Sequence, residues 1–169
     1  MSNYFLFLDI ETTGLDPARD DVLEVAAALT DDKFNLLESY ETLTTFAKPI
    51  HKWDPYCKKI HFENGLLHDM TTNAVVPLDS ALDPVAAWLH ALPPKSVTLA
   101  GRSIHFDLMF LNHRMFDEAA FSHRRFDVST LRQLARLRGE PTPDASTDAH
   151  RAMADVLADI AYCREKLHA

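Results

Sequence analysis

The stretch FLFLDIETTGLDP, residues 5–17, decides how the rest of the chain is read. An apolar run reads as a buried strand over residues 4–9 and ends on Asp9, with Glu11 two residues further on. Residues two apart in a strand project from the same face, so both carboxylates point together off the strand's end. Two such acids are ordinarily solvated residues at the start of a loop. Here the apolar run leads directly into Asp9, which argues for a position near the interior. Paired ionised carboxylates repel and raise a pKa unless a cation lies between them. A hard divalent ion, Mg²⁺ or Mn²⁺, takes oxygen ligands of this kind.

With 169 residues and 47% hydrophobic composition, the chain suits one globular domain spanning 1–169 with a sizeable core. No segment reaches ~18 consecutive apolar residues, so no membrane span is expected. Met1-Ser2-Asn3 supplies neither a basic region nor a cleavage site, so no secretory signal is expected either. Only Cys57 and Cys163 occur, far apart, which fits a reducing, cytoplasmic setting without disulfides. The formal charge of −8 disfavours coating long duplex nucleic acid, which rewards a broad basic face. It leaves room for a small anionic substrate met through bound cations.

Beyond the polar segment 12–21, residues 22–30 and 34–44 read as two strands joined at Asp31-Asp32-Lys33, a hairpin. Residues 46–78, with prolines at 49, 55 and 77, read as irregular. A helix is expected over 80–92, with Leu82, Val85, Ala86 and Leu89 along one face, and Pro93-Pro94 ends it. A strand at 96–100 precedes a helix at 104–116 that Ser103 is placed to cap. A strand near 125–128 leads to a helix at 129–138 with Ser129 near its start, and 139–146 reads as a loop. The last helix, 147–167, carries Ala149, Ala152, Met153, Val156, Leu157 and Ile160 at the 3, 4 spacing of one buried stripe. Early strands followed by alternating helices and strands give an α/β fold, a mixed sheet flanked by helices.

If a cation joins Asp9 and Glu11, more acids must converge on it. Asp107 sits early in the helix after VTLAG, where the helix dipole alone would favour an acid. His150 and Asp155 lie in the last helix off its apolar stripe, where Asp148 and Asp159 show that acids are common. Five residues of separation leave ~140° between them around a helix, so helical spacing does not place the pair on one face. A shared site would have to sit over the helix end.

The set Asp9-x-Glu11, Asp107 and His150-x4-Asp155 resembles, in order and spacing, the three motifs of the DEDDh 3′→5′ exonucleases. That superfamily includes ribonuclease T and the proofreading subunit of bacterial DNA polymerase III. The nearer resemblance is to oligoribonuclease, which degrades very short RNA. It is carried by LDIETTGLDPARDDVLEVAAALTD, AGRSIHFDLMFL, FDVSTLRQLARL and DAHRAMADVLADI. The likeness implies a ribonuclease-H-like fold and two divalent cations, Mg²⁺ or Mn²⁺, held by Asp9, Glu11, Asp107 and Asp155. It implies that His150 takes a proton from the attacking water, a task suited to a side chain that titrates near neutrality. Two metals ~4 Å apart serve both the attacking and the departing oxygen of phosphodiester hydrolysis. The products would be nucleoside 5′-monophosphates, released from short single-stranded RNA with a free 3′ end.

The same resemblance implies a pocket around a short 5′ end. Leu15 would wedge between bases, while Ser103, Arg125 and Ser129 meet the 5′ phosphate and His61 sits close by. A guanidinium makes paired hydrogen bonds to phosphate oxygens, which suits Arg125. The plain alternatives are two helix caps, a core leucine and a surface arginine. Tyr56, or Trp53 if the loop differs in length, would stack on a base, a contact worth ~1–3 kcal/mol, or would fill the core. Part of the family pocket comes from a second subunit near residues matching His123 and Arg124, which implies a homodimer. The sequence departs from the family at Arg102, where Asn is usual, and at Asn64, where Ser is usual. It also reads HRR for HYR, with one residue fewer before FDVST. Two rivals stand beside the exoribonuclease reading: a DNA-directed 3′→5′ exonuclease, and a binding module without catalysis.

Overall fold

The computed structural model describes residues 4–111, 120–143 and 149–168. Strand β1 (Tyr4–Thr12) runs through the middle of a six-stranded mixed sheet and carries both Asp9 and Glu11 within it. Antiparallel to it is β2 (Val22–Asp31), which turns back through Asp31 into β3 (Leu36–Thr44), giving the expected hairpin. The Asp31 carboxylate fastens that turn by accepting from the backbone of Lys33 and Asn35.

Residues 46–78 correct the expectation of an irregular segment. They hold helices α1 (Pro55–Glu63) and α2 (Leu66–Thr72), followed by a short strand β4 (Val75–Val76) beside β3. Pro55 occupies the first turn of α1, where the missing N–H costs nothing, and Asp54 caps the helix by accepting from Tyr56 and Cys57. A proline that looked like a breaker is a start signal.

Helix α3 (Asp83–His90) buries Val85 and Leu89, with Leu82 just before it, against the sheet. Strand β5 (Val97–Gly101) pairs parallel with β1, and α4 (Ile104–Phe110) follows. Residues 112–116 of the expected longer helix lie outside the described residues. Strand β6 (Phe121–Asp127), longer than expected, forms the edge next to β5, and α5 (Val128–Leu137) returns from it. The loop expectation holds over 139–143, the rest of it lying outside the described residues. Helix α6 (Ala152–His168) begins five residues later than expected. Residues 147 and 148 are outside the described residues, while Ala149, His150 and Arg151 precede the helix. The stripe also shifts: Leu157 and Ala149 are exposed, whereas Asp155 and Asp159 are buried with Val156 and Ile160.

The two faces of β1 explain the layers. Leu6, Leu8 and Ile10 pack against α3 and Ile104, whereas Phe5 and Phe7 pack with Phe34, Phe126 and the apolar side of α6. Full burial of Phe7 contributes about 1.5–3 kcal/mol. Asp9 and Glu11 continue the Phe5–Phe7 face by the period of two, so they emerge beneath the start of α6. Gly101 brings β5 to the same corner. A Cβ there would lie 2.6 Å from the Leu8 carbonyl oxygen, so only glycine allows this approach.

Candidate active site

At the end of β1, carboxylate oxygens of Asp9, Glu11 and Asp155 all lie within 4.8 Å of one another. Asp107, on α4, lies outside that set, but its charge is the one that raises Asp9 most. Strand β5 stops pairing with β1 at Phe7, and beyond that point the Asp107 Oδ1 takes the Ile10 N–H at 3.1 Å. One side chain thus fills the gap in the ladder and turns its acid toward the cluster. The cost of this gathering is electrostatic. Burial, then Asp107, Glu11 and Asp155, raises the Asp9 carboxyl well above the ordinary carboxylate range. Burial, followed by Asp155 and Glu24, pushes Glu11 up to about 8, and burial lifts Asp107 to about 7. Oxygen-only donors that repel one another this strongly fit a hard dication, which would remove the repulsion.

His150 escapes the ~140° problem because it lies outside the helix. Its backbone adopts φ of 48°, in the left-handed region that non-glycine residues rarely enter. The bent segment is fastened on both sides. Asn64, at the end of α1, donates its side-chain amide to the His150 carbonyl while its Oδ1 accepts from Leu66 N–H. One residue after His150, Arg151 pairs with Glu24 at 2.9 Å and with Asp69 at 2.9 Å. The Glu24 Oε2 also accepts the Ala152 N–H at 2.9 Å, capping α6. Sequence reasoning gave no role to Glu24, Arg151, Asp69 or Asn64 in holding the site. Glu24 carried a signal: a charge set inside the apolar run VLEVAAAL, which needs a buried partner.

A cavity of about 430 Å³ opens beside the acids, lined by Glu11, Leu15, Tyr56, His61, Phe106 and His150. Leu15 is 71% exposed at the tip of the loop closed by Thr13 and Asp21, so it is not a core residue. Tyr56 is also exposed. Trp53 is not: it is buried against Phe46, and its indole N–H donates to the Lys48 carbonyl at 2.9 Å. His61 is buried, with Nε2–H donating to the Thr12 carbonyl at 2.9 Å and lying 3.9 Å from Glu11. Burial lowers its pKa.

Ser103 and Ser129 come together, their hydroxyl oxygens 2.9 Å apart. Neither caps a helix through its side chain. Ser103 has φ of 58° and makes no side-chain cap bond, and Asp127 caps α5 by accepting from Ser129 N–H. The same Asp127 oxygen takes the Ser103 N–H at 3.2 Å. Arg125 is exposed on β6, and its Nη1 donates to the carbonyls of Ser122 and Arg124.

Residues 6–162 match the RNase_T family, described as an exonuclease. The oligoribonuclease of Yersinia pseudotuberculosis is 32% identical over 172 residues, covering 96% of this chain and 94% of its own length. The oligoribonuclease of Escherichia coli K12 is 31% identical over 171 residues, again covering 96% and 94%. Among solved structures, E. coli exonuclease I in complex with a dT13 oligonucleotide superposes with a TM-score of 0.67 at 22% identity. Exonuclease I of Methylocaldum szegediense gives 0.70 at 22% identity. Each superposition covers 98% of this chain but 41% of the larger protein, so the likeness there is one of fold.

Proposed function

Because this chain belongs to the oligoribonuclease branch of the exonuclease family, we propose that it removes nucleotides one at a time from the 3′ end of short RNA. The observation that carries this reading is the convergence of Asp9, Glu11 and Asp155 within 4.8 Å, beside a cavity that His150 also lines. Asp9, Glu11, Asp107 and Asp155 would hold two divalent cations, Mg²⁺ or Mn²⁺. Such ions, when bound, stabilise charge on the attacking and departing oxygens of a phosphodiester.

The remaining work belongs to the side chains. His150, fixed by Asn64 at its carbonyl, takes the proton of the attacking water. Leu15 and Tyr56 bound the cavity with apolar surface on which the terminal base stacks, and Phe106 closes its far wall. The adjoining hydroxyls of Ser103 and Ser129 offer donors to a 5′ phosphate, and Arg125, two residues before Asp127 on β6, is the candidate cation that would turn toward it. His61, buried and without a partner on Nδ1 among the described residues, presents that nitrogen as an acceptor in the neutral ring.

Several wider features go with this reading. A single six-stranded sheet running through the described residues favours one exonuclease domain. The exposed His123 and Arg124 on edge strand β6 are where a second copy would complete the pocket, which favours a homodimer. No helix among the described residues is long and apolar enough to cross a membrane. Both cysteines are free thiols, as a cytoplasmic setting would leave them.

The test is degradation of end-labelled di- and heptaribonucleotides with Mn²⁺, run beside DNA of the same lengths. Accumulation of nucleoside 5′-monophosphates from RNA, lost in Asp155→Ala and His150→Ala, is expected. Preference for long DNA would favour a DNA-trimming enzyme instead. Binding without cleavage in excess Mn²⁺ would leave only a binding module.

A further inference from the structure

Two loops beside the active-site cavity, 13–21 after β1 and 45–54 after β3, are braced from within. The Asp21 Oδ2 accepts the N–H groups of Ala47 and Lys48, at 2.7 Å and 2.6 Å, which ties one loop to the other. Asp20 accepts from the Thr13 hydroxyl at 2.9 Å and the Asp16 N–H at 3.0 Å, and it pairs with the Lys48 ammonium. A Cβ on Gly14 would lie 2.5 Å from the Asp20 carboxylate oxygens, so a glycine is what lets that acid tuck in. Both carboxylates are engaged inside the brace.

The brace brings three cations to one groove. A recess of about 670 Å³ is lined by Arg19, Asp21, Ala47, Lys48, Pro49 and Lys52. Arg19, Lys48 and Lys52 also line a second recess of about 450 Å³, whose wall includes Leu15, Trp53 and Pro55. Leu15 and Asp54 belong to the active-site cavity as well, so the groove continues from it. Arg19 and Lys52 are exposed and make no ion pair among the described residues. Near Leu15, Asp16 accepts from the Ala18 N–H and Asp54 from the first turn of α1, so both acids cap their own turns. In a chain of charge −8, cations gathered in this way make a local seat for an anion.

We propose that this groove is a second nucleotide site, which takes a nucleoside 5′-monophosphate. Arg19, Lys48 and Lys52 hold the phosphate, and Leu15 with Pro55 gives the base an apolar wall. A guanidinium beside two ammonium groups suits a phosphomonoester, a dianion rich in acceptor oxygens. The proposed reaction makes that ligand in the adjoining cavity, so the groove receives each product as it leaves the acids. The inference rests on the exonuclease reading only for the source of the nucleotide; the site itself follows from the two braced loops.

Amide NMR of the chelator-treated full chain, titrated with adenosine 5′-monophosphate (AMP) and separately with inorganic phosphate, tests it without turnover. Without bound cations the clustered acids repel a phosphate from the catalytic corner, which isolates the groove. AMP is expected to give saturable shifts at Arg19, Lys48 and Lys52, and to bind more tightly than inorganic phosphate. Arg19→Gln and Lys52→Gln are each expected to weaken AMP binding about two- to fivefold, the worth of an exposed ion pair, with thermal unfolding unmoved. No shift at these amides, or AMP binding that neither substitution weakens, overturns the proposal. Equal binding of phosphate and AMP marks an anion patch and not a nucleotide site, and overturns it too. Should the chain hold AMP in the groove yet leave RNA uncut, the site stands and the exonuclease reading falls. RNA degradation with no AMP in the groove sinks this site alone.

Discussion

Glu24 stands directly across the β1–β2 ladder from Glu11, yet the two acids face opposite circumstances. Arg151 and the Ala152 N–H bind Glu24, while Glu11 is left among other acids. One carboxylate builds the site and the other is available to work in it. The contrast follows from position along α6: the helix start supplies donors to Glu24, and its first turn supplies Asp155 to Glu11.

Removing that support should unsettle the site before its chemistry. Glu24→Ala strips the buried partner of Arg151 and the cap of α6, and is expected to cost about 2–4 kcal/mol of stability. Urea denaturation measures the loss directly. A change below ~0.5 kcal/mol would mean that Asp69 alone holds Arg151.

Asn64→Ala is expected to leave the fold intact and slow the reaction. It frees the His150 carbonyl, so the left-handed segment relaxes and the imidazole loses its aim. A fall of about tenfold in kcat with KM little changed is expected, since small misplacements of a catalytic group are costly. Steady-state kinetics on a dinucleotide would show it, and an unchanged kcat would contradict the role given to Asn64.

The raised carboxyl pKa values give the metal-free protein a pH dependence of definite sign. Glu11, lifted from 4.5 to about 8, keeps its proton in the folded chain where the unfolded chain has lost it. The folded state then binds more protons, so stability falls as pH rises toward 8. Asp107, at about 7, acts in the same sense over a lower range. Below 6.5 the lowered pKa of His61 opposes them, because the unfolded histidine protonates first. Between pH 6.5 and 8 the melting temperature of chelator-treated protein is therefore expected to fall with rising pH. Saturating Mn²⁺ is expected to remove or reverse the trend, because it requires the ionised acids. Thermal scans in matched buffers decide the point.

Trp53 and Tyr56 are expected to separate cleanly. Trp53→Ala empties a buried site and should cost about 3–5 kcal/mol. Tyr56→Ala should leave stability nearly unchanged and lower kcat/KM on dinucleotides by the ~1–3 kcal/mol of a lost base stack. Denaturation and kinetics on the two variants, run together, test both halves.

The region between β3 and α3 was hard to read because its prolines mark helix starts as readily as breaks. Pro55 is distinguished from a breaker by Asp54 capping the same turn. The last helix was legible as a helix but not in its boundary or its buried side. Asp159 looked like one more polar-face acid because its two arginine partners come from β5's end and α5, far away in sequence. Ser103 and Ser129 looked like caps for the same reason: what separates a cap from a paired hydroxyl is a neighbour 26 residues away.

By itself the sequence determined which side chains are paired by local geometry. Alternation along β1 puts Asp9 and Glu11 on one face, and the order of strands and helices sets the α/β class. Only the tertiary structure decided that Asp155 meets them, that His150 leaves its helix, and that Asp159 gathers Arg102 from the end of β5 and Arg132 from α5. Period and propensity act over a few residues, whereas these contacts join segments about 25 to 150 residues apart through packing and ion pairs that no local pattern encodes.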